Sequence, residues 1–229
     1  MRWMVLGLVV TALGCEESVE STDVRTTGIY PDITVTATGD GSSQVRVRLK
    51  VGGSNSNTFL DLKGGDTLEA TVGDETKTLD ETSDETYTAS FPTEEEGTQF
   101  TISFLRDEDD SAPASTVRLP APFDVSVEPR EASRGQDDVE VSWDPPGTGD
   151  VDLRLSGDCI QLDSDTVPDD GSHTLSADSI ETFEADEDES CSVRVALERS
   201  RSGSIDSAFT EGGHIEALQV RSDTFTSTP

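Results

Sequence analysis

QVRVRLKV, residues 44–51, alternates apolar and basic side chains without a break. Val45, Val47 and Leu49 fall on one side of the chain, and the basic residues between them fall on the other. Successive side chains of a β-strand point to opposite faces of a sheet, so this period of two predicts a strand with one buried and one solvated face. The stretch therefore sets the expectation of a β-sheet protein with its apolar core on one side of the strand.

The same period recurs through the first half of the chain. Short stretches rich in glycine, serine and asparagine separate the runs, as they do between the strands of sandwiches and barrels. No stretch has the apolar spacing of a convincing amphipathic helix. We therefore predict an all-β fold that begins with an antiparallel β-sandwich domain over residues 30–119. Its predicted strands are residues 33–38, 44–51, 58–62, 67–72, 76–79, 86–91, 99–105 and 115–119.

LPAP, residues 119–122, marks the predicted domain boundary. Two prolines interrupt strand hydrogen bonding and stiffen the chain at that point. A second series of alternating runs follows, so we predict a second antiparallel β-sandwich, in tandem with the first, over residues 120–229. Its predicted strands are residues 123–127, 139–143, 150–155, 173–175, 181–183, 191–197 and 214–225.

Two of these runs resemble strands of the fibronectin type III family of immunoglobulin-like sandwiches. VEVSWDPP, residues 139–146, is similar to strand B of that family, whose tryptophan anchors the core; here it is Trp143. CSVRVAL, residues 191–197, is similar to strand F, but Cys191 stands where the family usually has a tyrosine. The resemblance implies a fibronectin III-like fold for the second half. It says little about function, because such sandwiches host many activities.

The N-terminus, MRWMVLGLVVTALGC, resembles a bacterial lipoprotein signal peptide that ends in a lipobox. One basic residue, Arg2, precedes an apolar run over residues 3–13, which is too short to span a bilayer. The resemblance implies removal of residues 1–14 and acylation of Cys15 by diacylglyceryl and palmitate groups. Residues 15–29 are polar and aperiodic, and we predict a lipidated flexible tether there. An ordinary secretory signal is the alternative.

The other two cysteines form the predicted disulfide. Once Cys15 is assigned to lipid, Cys159 and Cys191 remain as a pair in an oxidising compartment. A bridge between them would close a long loop and reduce the conformational entropy of the unfolded chain. A metal-binding or redox pair is the alternative, although the chain has no C-x-x-C motif.

The charge of the chain limits its partners. Sixteen basic and 48 acidic residues give a formal net charge of −32 at pH 7. Such a charge argues against direct binding of nucleic acid or of anionic lipid headgroups. The predicted partners are therefore the membrane, through the lipid on Cys15 alone, and an envelope or surface protein.

The chain has few of the residues and motifs that are typical of catalytic sites. The two histidines, His173 and His214, belong to no hydrolase or metalloprotease motif. We therefore predict no enzymatic activity and no cofactor.

Calcium is the one ligand that the composition suggests, since it takes six to eight oxygen ligands. The candidate ligands are Asp163, Asp165, Asp169 and Asp170, with residues 107–110 and 184–188 as further acidic stretches. We interpret each stretch as a solvated acidic loop, with calcium binding as the alternative.

These observations predict a lipid-anchored, extracytoplasmic protein of the bacterial cell envelope, with the outer membrane or cell surface favoured. Its expected role is a non-catalytic binding, adhesion or scaffold module. A calcium-dependent adhesin and an unrecognised secreted hydrolase are the two alternatives.

Overall fold

A computed structural model describes residues 17–83, 85–183 and 188–229. Within these ranges the chain is all-β, and its only helices are two single 3-10 turns, Ser21–Asp23 and Thr26–Gly28. The strands are β1 Glu17–Glu20, β2 Ile29–Ala37, β3 Ser43–Val51, β4 Thr58–Asp61, β5 Thr67–Val72, β6 Glu75–Thr78, β7 Asp80–Ser83, β8 Thr86–Phe91, β9 Gln99–Leu105, β10 Ala112–Arg118, β11 Asp124–Glu128, β12 Glu131–Ser133, β13 Val139–Asp144, β14 Asp150–Ser156, β15 Asp163–Pro168, β16 Ser172–Leu175, β17 Cys191–Ser202 and β18 His214–Thr228.

One large sheet and two small sheets build the molecule. The large sheet has the order β1-β4-β3-β2-β18-β17-β14-β15, and β7, β8 and β12 also pair within it. The small sheets have the orders β10-β9-β5-β6 and β11-β13-β16. Each small sheet shares a hydrophobic core with a different half of the large sheet. The predicted all-β, sandwich-like character is therefore confirmed.

The first core lies between the β2-β3-β8 part of the large sheet and the sheet that contains β9. Val45, Val47 and Leu49 of β3 are buried, as their period of two predicted. Phe100 of β9 meets Phe91 of β8 across this core, with ring centroids 5.6 Å apart and planes at 89°. Edge-to-face packing of this kind is favourable for aromatic rings.

The second core lies between β14-β17 and the sheet that contains β13. Trp143 packs there with Val141, and across from them lie Val195 and Leu197 of β17. β13 and β17 thus belong to opposite sheets of this core. Alternation again predicted which side chains of these strands are buried.

The two cores share one strand, so the halves are not arranged as two separate sandwiches in tandem. Ile215 and Ala217, early in β18, belong to the first core, whereas Phe225 near its end belongs to the second. The early part of β18 pairs in parallel with β2, and the whole of β17 pairs with β18 in antiparallel register. A 15-residue strand is long enough to contribute side chains to both cores. The predicted boundary between residues 119 and 120 therefore does not fully separate the strands of the two cores, because β18 belongs to both.

The proline-rich stretch between the halves is held against β17 rather than left free. Arg201 donates to the carbonyl of Leu119 at 3.1 Å, and Arg199 donates to the carbonyl of Ala121 at 2.8 Å. The backbone of Gly97 also donates to Leu119, at 2.9 Å. These bonds fix the junction that the prolines were expected only to stiffen.

Two local predictions were wrong. Residues 181–183, predicted as a strand, lie outside the strands, and residues 163–168, treated as an acidic loop, form β15. Three residues are too few to establish a period, and the aspartates of β15 hide its pattern, because only Val167 in that strand is buried.

We expect Leu49→Ala, in the first core, to lower the unfolding transition of both cores together. Leu49 is 1% exposed, and truncation of such a side chain costs about 3 kcal/mol. The midpoint measured by the fluorescence of Trp143, in the second core, should fall with the midpoint from far-ultraviolet circular dichroism. Gln44→Ala, at an exposed position of the same strand, is the matched control. An unchanged Trp143 midpoint would show that the cores unfold independently.

Candidate functional site

The segment that follows the expected lipidation site is part of the folded body. β1 pairs in parallel with β4, with Glu17 opposite Thr58, and the N–H of Glu17 donates to the carbonyl of Asn57 at 3.1 Å. The flexible tether predicted for residues 15–29 is therefore absent from residue 17 onwards. Cys15 itself and the predicted signal, residues 1–14, lie outside the described residues.

Arg106 holds this segment in place. Its side chain is 2% exposed, and its Nε lies 2.9 Å from Oδ2 of Asp66, which is buried to the same extent. The guanidinium also donates to the carbonyl of Val24 at 2.8 Å, to Thr26 Oγ1 at 3.0 Å and to the carbonyl of Ser21. One arginine thus satisfies backbone groups along most of the segment between β1 and β2. We call Arg106, Asp66 and the groups that they bind in residues 21–26 the N-terminal clamp.

The acidic loop after β9 closes the clamp from the other side. Asp109 accepts from the backbone N–H of Asp110 at 2.7 Å and from that of Thr26 at 3.2 Å. These bonds and the nearby Arg106 hold the pKa of Asp109 below its usual value, although partial burial opposes the shift. Thr26 Oγ1 donates to the carbonyl of Asp110 at 2.6 Å. This acidic stretch thus binds the N-terminal segment.

The predicted disulfide between Cys159 and Cys191 is confirmed. Their Cα atoms lie 5.7 Å apart, and the bridge closes a loop over a separation of 32 residues. Arg134 donates to Cys159 Sγ at 3.2 Å and to the carbonyl of Glu189 at 2.8 Å. Since Cys191 lies opposite Ser227 in the register of β17 and β18, the bridge stands at the far end of the strand shared by both cores.

The calcium candidates do not meet at one point. Asp163 and Asp165 are exposed in β15, whereas Asp169 is 3% exposed and pairs with an arginine. Asp170 accepts from the backbone N–H of Ser172 at 3.4 Å in the following turn. Over residues 17–83, 85–183 and 188–229, no group of three or more histidine, cysteine, aspartate or glutamate side chains is placed to hold a metal ion.

Asp169 forms the second buried ion pair of the protein. Arg199 binds both of its carboxylate oxygens, at 2.6 and 2.7 Å, and Trp143 Nε1 donates to it at 2.8 Å. Burial alone would raise the pKa of Asp169, but the hydrogen bonds from Arg199 and Trp143 outweigh it and lower the pKa. The Arg199 guanidinium also lies 4.6 Å from the ring centroid of Phe123. This group ties the second core to the junction between the halves.

Sequence reasoning missed the two arginines that form buried ion pairs with Asp66 and Asp169, although their strands carry a signal for them. Arg106 continues the inward-facing alternation of Phe100, Ile102 and Phe104 by one more step. Arg199 likewise follows Val193, Val195 and Leu197 in the same phase. In both strands the arginine stands at the next inward position after three buried apolar residues, and this placement is the signal that the sequence offered.

The two histidines lie apart. His173 is in β16, opposite Val141 in the second core, and His214 begins β18 with its Nε2 3.3 Å from Glu216 Oε1. For the described part of the chain, no helix is long and apolar enough to cross a membrane.

We expect Arg106→Met to release the N-terminal segment from the body. The substitution removes every bond that Arg106 makes to residues 21–26 and leaves the buried Asp66 carboxylate without its counter-charge, at a cost of about 3 kcal/mol. Trypsin should then cleave after Arg25, which is exposed but held in a structured segment, faster than in the native protein. Arg118→Met, at an exposed arginine of β10, is the control. Equal cleavage rates in native protein and R106M would contradict the clamp.

We expect Asp169→Asn to lower the melting temperature strongly, because it leaves Arg199 buried without its counter-charge, at about 3 kcal/mol. Since folding lowers the pKa of Asp169, its ionisation stabilises the native state above the unfolded value of 3.8, and this contribution is lost as the pH falls through the native pKa. The difference in stability between native protein and variant should therefore shrink in acid. Asp170→Asn, at the exposed neighbour, should change little at any pH; an equal effect of both would refute the assignment.

Comparisons with known proteins give only a distant likeness. No protein-family model matches the sequence, and no curated protein matches it. Among solved structures, the chain is similar to Escherichia coli alpha-2-macroglobulin activated by porcine elastase, with 12% identity over 88% of this chain and a TM-score of 0.27. The chain spans 23% of the length of that protein. At this score the likeness carries no argument about function, which has to be built from the residues.

Proposed function

We propose that this protein is a lipid-anchored, non-catalytic binding or scaffold module of the bacterial cell envelope. In this proposal Cys15 carries the lipid, the first core stands next to the membrane, and the second core is presented away from it. The partner is another envelope or surface protein that meets the second core.

The direction of the strands carries the proposal. β1 is parallel to β4, and β2 is parallel to β18. Both β4 and β2 are antiparallel to β3, so all four strands point the same way. β1 begins two residues after Cys15, within about 7 Å of chain. β18 has 15 residues and spans about 45 Å. An anchor at Cys15 would therefore hold one end of the body at the membrane and direct the disulfide end outwards.

The N-terminal clamp supports the same arrangement. A flexible tether over residues 15–29 would let the body turn freely over roughly 20 Å. With Ser21 and Thr26 bound by Arg106, the segment between β1 and β2 is fastened to the body. The orientation of the body would then follow from its anchor point.

The two alternatives have less support. A calcium-dependent adhesin needs its aspartates to converge, but Asp169 is engaged by Arg199 and the others lie elsewhere. A rise in melting temperature on addition of calcium would favour it. A hydrolase that depends on histidine would lose its activity on alanine substitution at His173 and His214.

The anchor is tested by the intact mass of the protein extracted from membranes of a bacterial host. We expect a chain that begins at Cys15 with added acyl mass, and a gain of two hydrogens on reduction of the disulfide. Cys15→Ser should give an unacylated chain. A native chain that is soluble and unacylated would overturn the anchor.

The orientation is tested by energy transfer to a membrane dye in vesicles. A fluorescent amino acid at Asn55, beside the start of β1, should transfer energy more efficiently than the same residue at Leu162. Equal transfer from both positions would mean that the body lies flat or turns freely.

A further inference from the structure

Two large apolar side chains are exposed in the part of the chain that the structure describes, and they lie close along the same loop. Leu162 is 77% exposed and Phe183 is 48% exposed. Gln161 joins their two segments, because its N–H donates to the carbonyl of Glu181 at 2.8 Å and its Nε2 donates to the carbonyl of Thr182 at 3.0 Å. Both residues lie within the loop closed by Cys159 and Cys191. Water-exposed apolar side chains that occur together mark contact surfaces.

The charge around Leu162 and Phe183 indicates the class of partner that they would bind. Residues 160–190 contain eleven acidic residues and neither lysine nor arginine. Seven of these acidic residues lie in the described ranges and are exposed. A surface with such an excess of carboxylates attracts cationic segments and repels nucleic acid and anionic lipid. The apolar pair therefore stands in an acidic surrounding that fits a basic protein partner.

A groove beside Leu162 offers room for such a segment. It has a volume of about 590 Å³ and is open to solvent, and Leu162, Asp152, Asp165 and Arg154 are in its lining. The charge of Arg154 is offset by Glu198, whose Oε1 lies 3.5 Å from its Nε. Thr166 uses one oxygen of each carboxylate: its hydroxyl donates to Asp152 Oδ1 at 2.7 Å, and its N–H donates to Asp165 Oδ1 at 2.8 Å. These bonds hold both carboxylates beside Thr166 in the lining of the groove, where a lysine or arginine side chain would pair with them.

The partner would bind through side chains rather than as an added strand. β15 is an edge strand of the large sheet. The N–H of Asp169 donates to the carbonyl of Gly149 at 2.9 Å, and this bond determines which residues of β15 direct their backbone groups toward β14. By alternation, the backbones of Ser164, Thr166 and Pro168 face away from β14. The N–H of Thr166 is already bound to Asp165, and proline has none. Such blocks are the means by which proteins prevent edge pairing.

We propose that Leu162, Phe183 and the groove along β14 and β15 form a docking surface for a basic segment of another protein. An apolar side chain of the segment packs on Leu162 and Phe183, and its cationic side chains pair with Asp152 and Asp165. This inference rests on the binding role proposed above and names its partner class, but it does not depend on lipidation of Cys15.

The test uses two synthetic peptides and the full chain as the cell produces it, in non-ionic detergent. KKLKLKK carries apolar and basic side chains, and KKSKSKK carries the same charge without the leucines. We expect Leu162→Ser combined with Phe183→Ser to weaken binding of KKLKLKK about tenfold and to leave KKSKSKK unchanged. Asp152→Asn combined with Asp165→Asn should weaken both peptides.

The matched control removes charge at the opposite end of the molecule. Glu108→Gln combined with Asp110→Asn removes the same two charges, and it should leave the binding of both peptides nearly unchanged. All variants are at exposed or groove positions, and an unchanged melting temperature verifies that they fold. Equal loss in the two charge variants, or no loss in the leucine and phenylalanine variant, would show unspecific attraction to the acidic chain and overturn the proposal. The mass measurement of the anchor stands independently of either result.

Discussion

One strand, β18, belongs to both hydrophobic cores, and the rest of the structure is arranged around it. Ile215 and Ala217 face the first core and Phe225 faces the second, from the same side of the strand. Between them, Gln219 is fully buried and its Nε2 donates to the carbonyl of Glu94 at 2.8 Å. The strand therefore passes from one core to the other through a polar stretch that meets the chain junction, so neither half keeps its full core without it.

Two arginines in buried ion pairs hold the irregular segments of the chain against the two cores. Arg106 binds the segment before β2, and Arg199 binds the junction between the halves. Each is balanced by one buried aspartate, which offsets much of the cost of removing the charge from water. Breaking either pair would leave a buried charge, and this cost holds the two irregular segments in single conformations. The remaining acidic residues are mostly exposed, where the net charge favours solubility.

The sequence predicted which face of each strand is buried far better than which strands pair with one another. A period of two assigns a residue such as Val45 or Val141 to the buried side, because it depends only on the residues beside it in the chain. Pairing is different. The parallel pairs β1 with β4 and β2 with β18 join residues that are far apart in sequence, with Ile33 opposite Ile215. No local pattern encodes such a partner, so one long strand was interpreted as part of the second domain alone.

The same contrast between local patterns and long-range pairing applies to the candidate sites. The Cys159–Cys191 bridge was predictable because pairing of two cysteines needs no knowledge of topology. The role of Asp169 was not, since its partner Arg199 lies 30 residues away and reaches it only across the second core. The first described strand, the shared strand and the strand that carries Cys191 belong to one hydrogen-bonded sheet, and the two buried ion pairs fasten the irregular segments to it. A rigid body of this kind fixes the separation of its two ends, so an anchor at one end would determine where a partner meets the other.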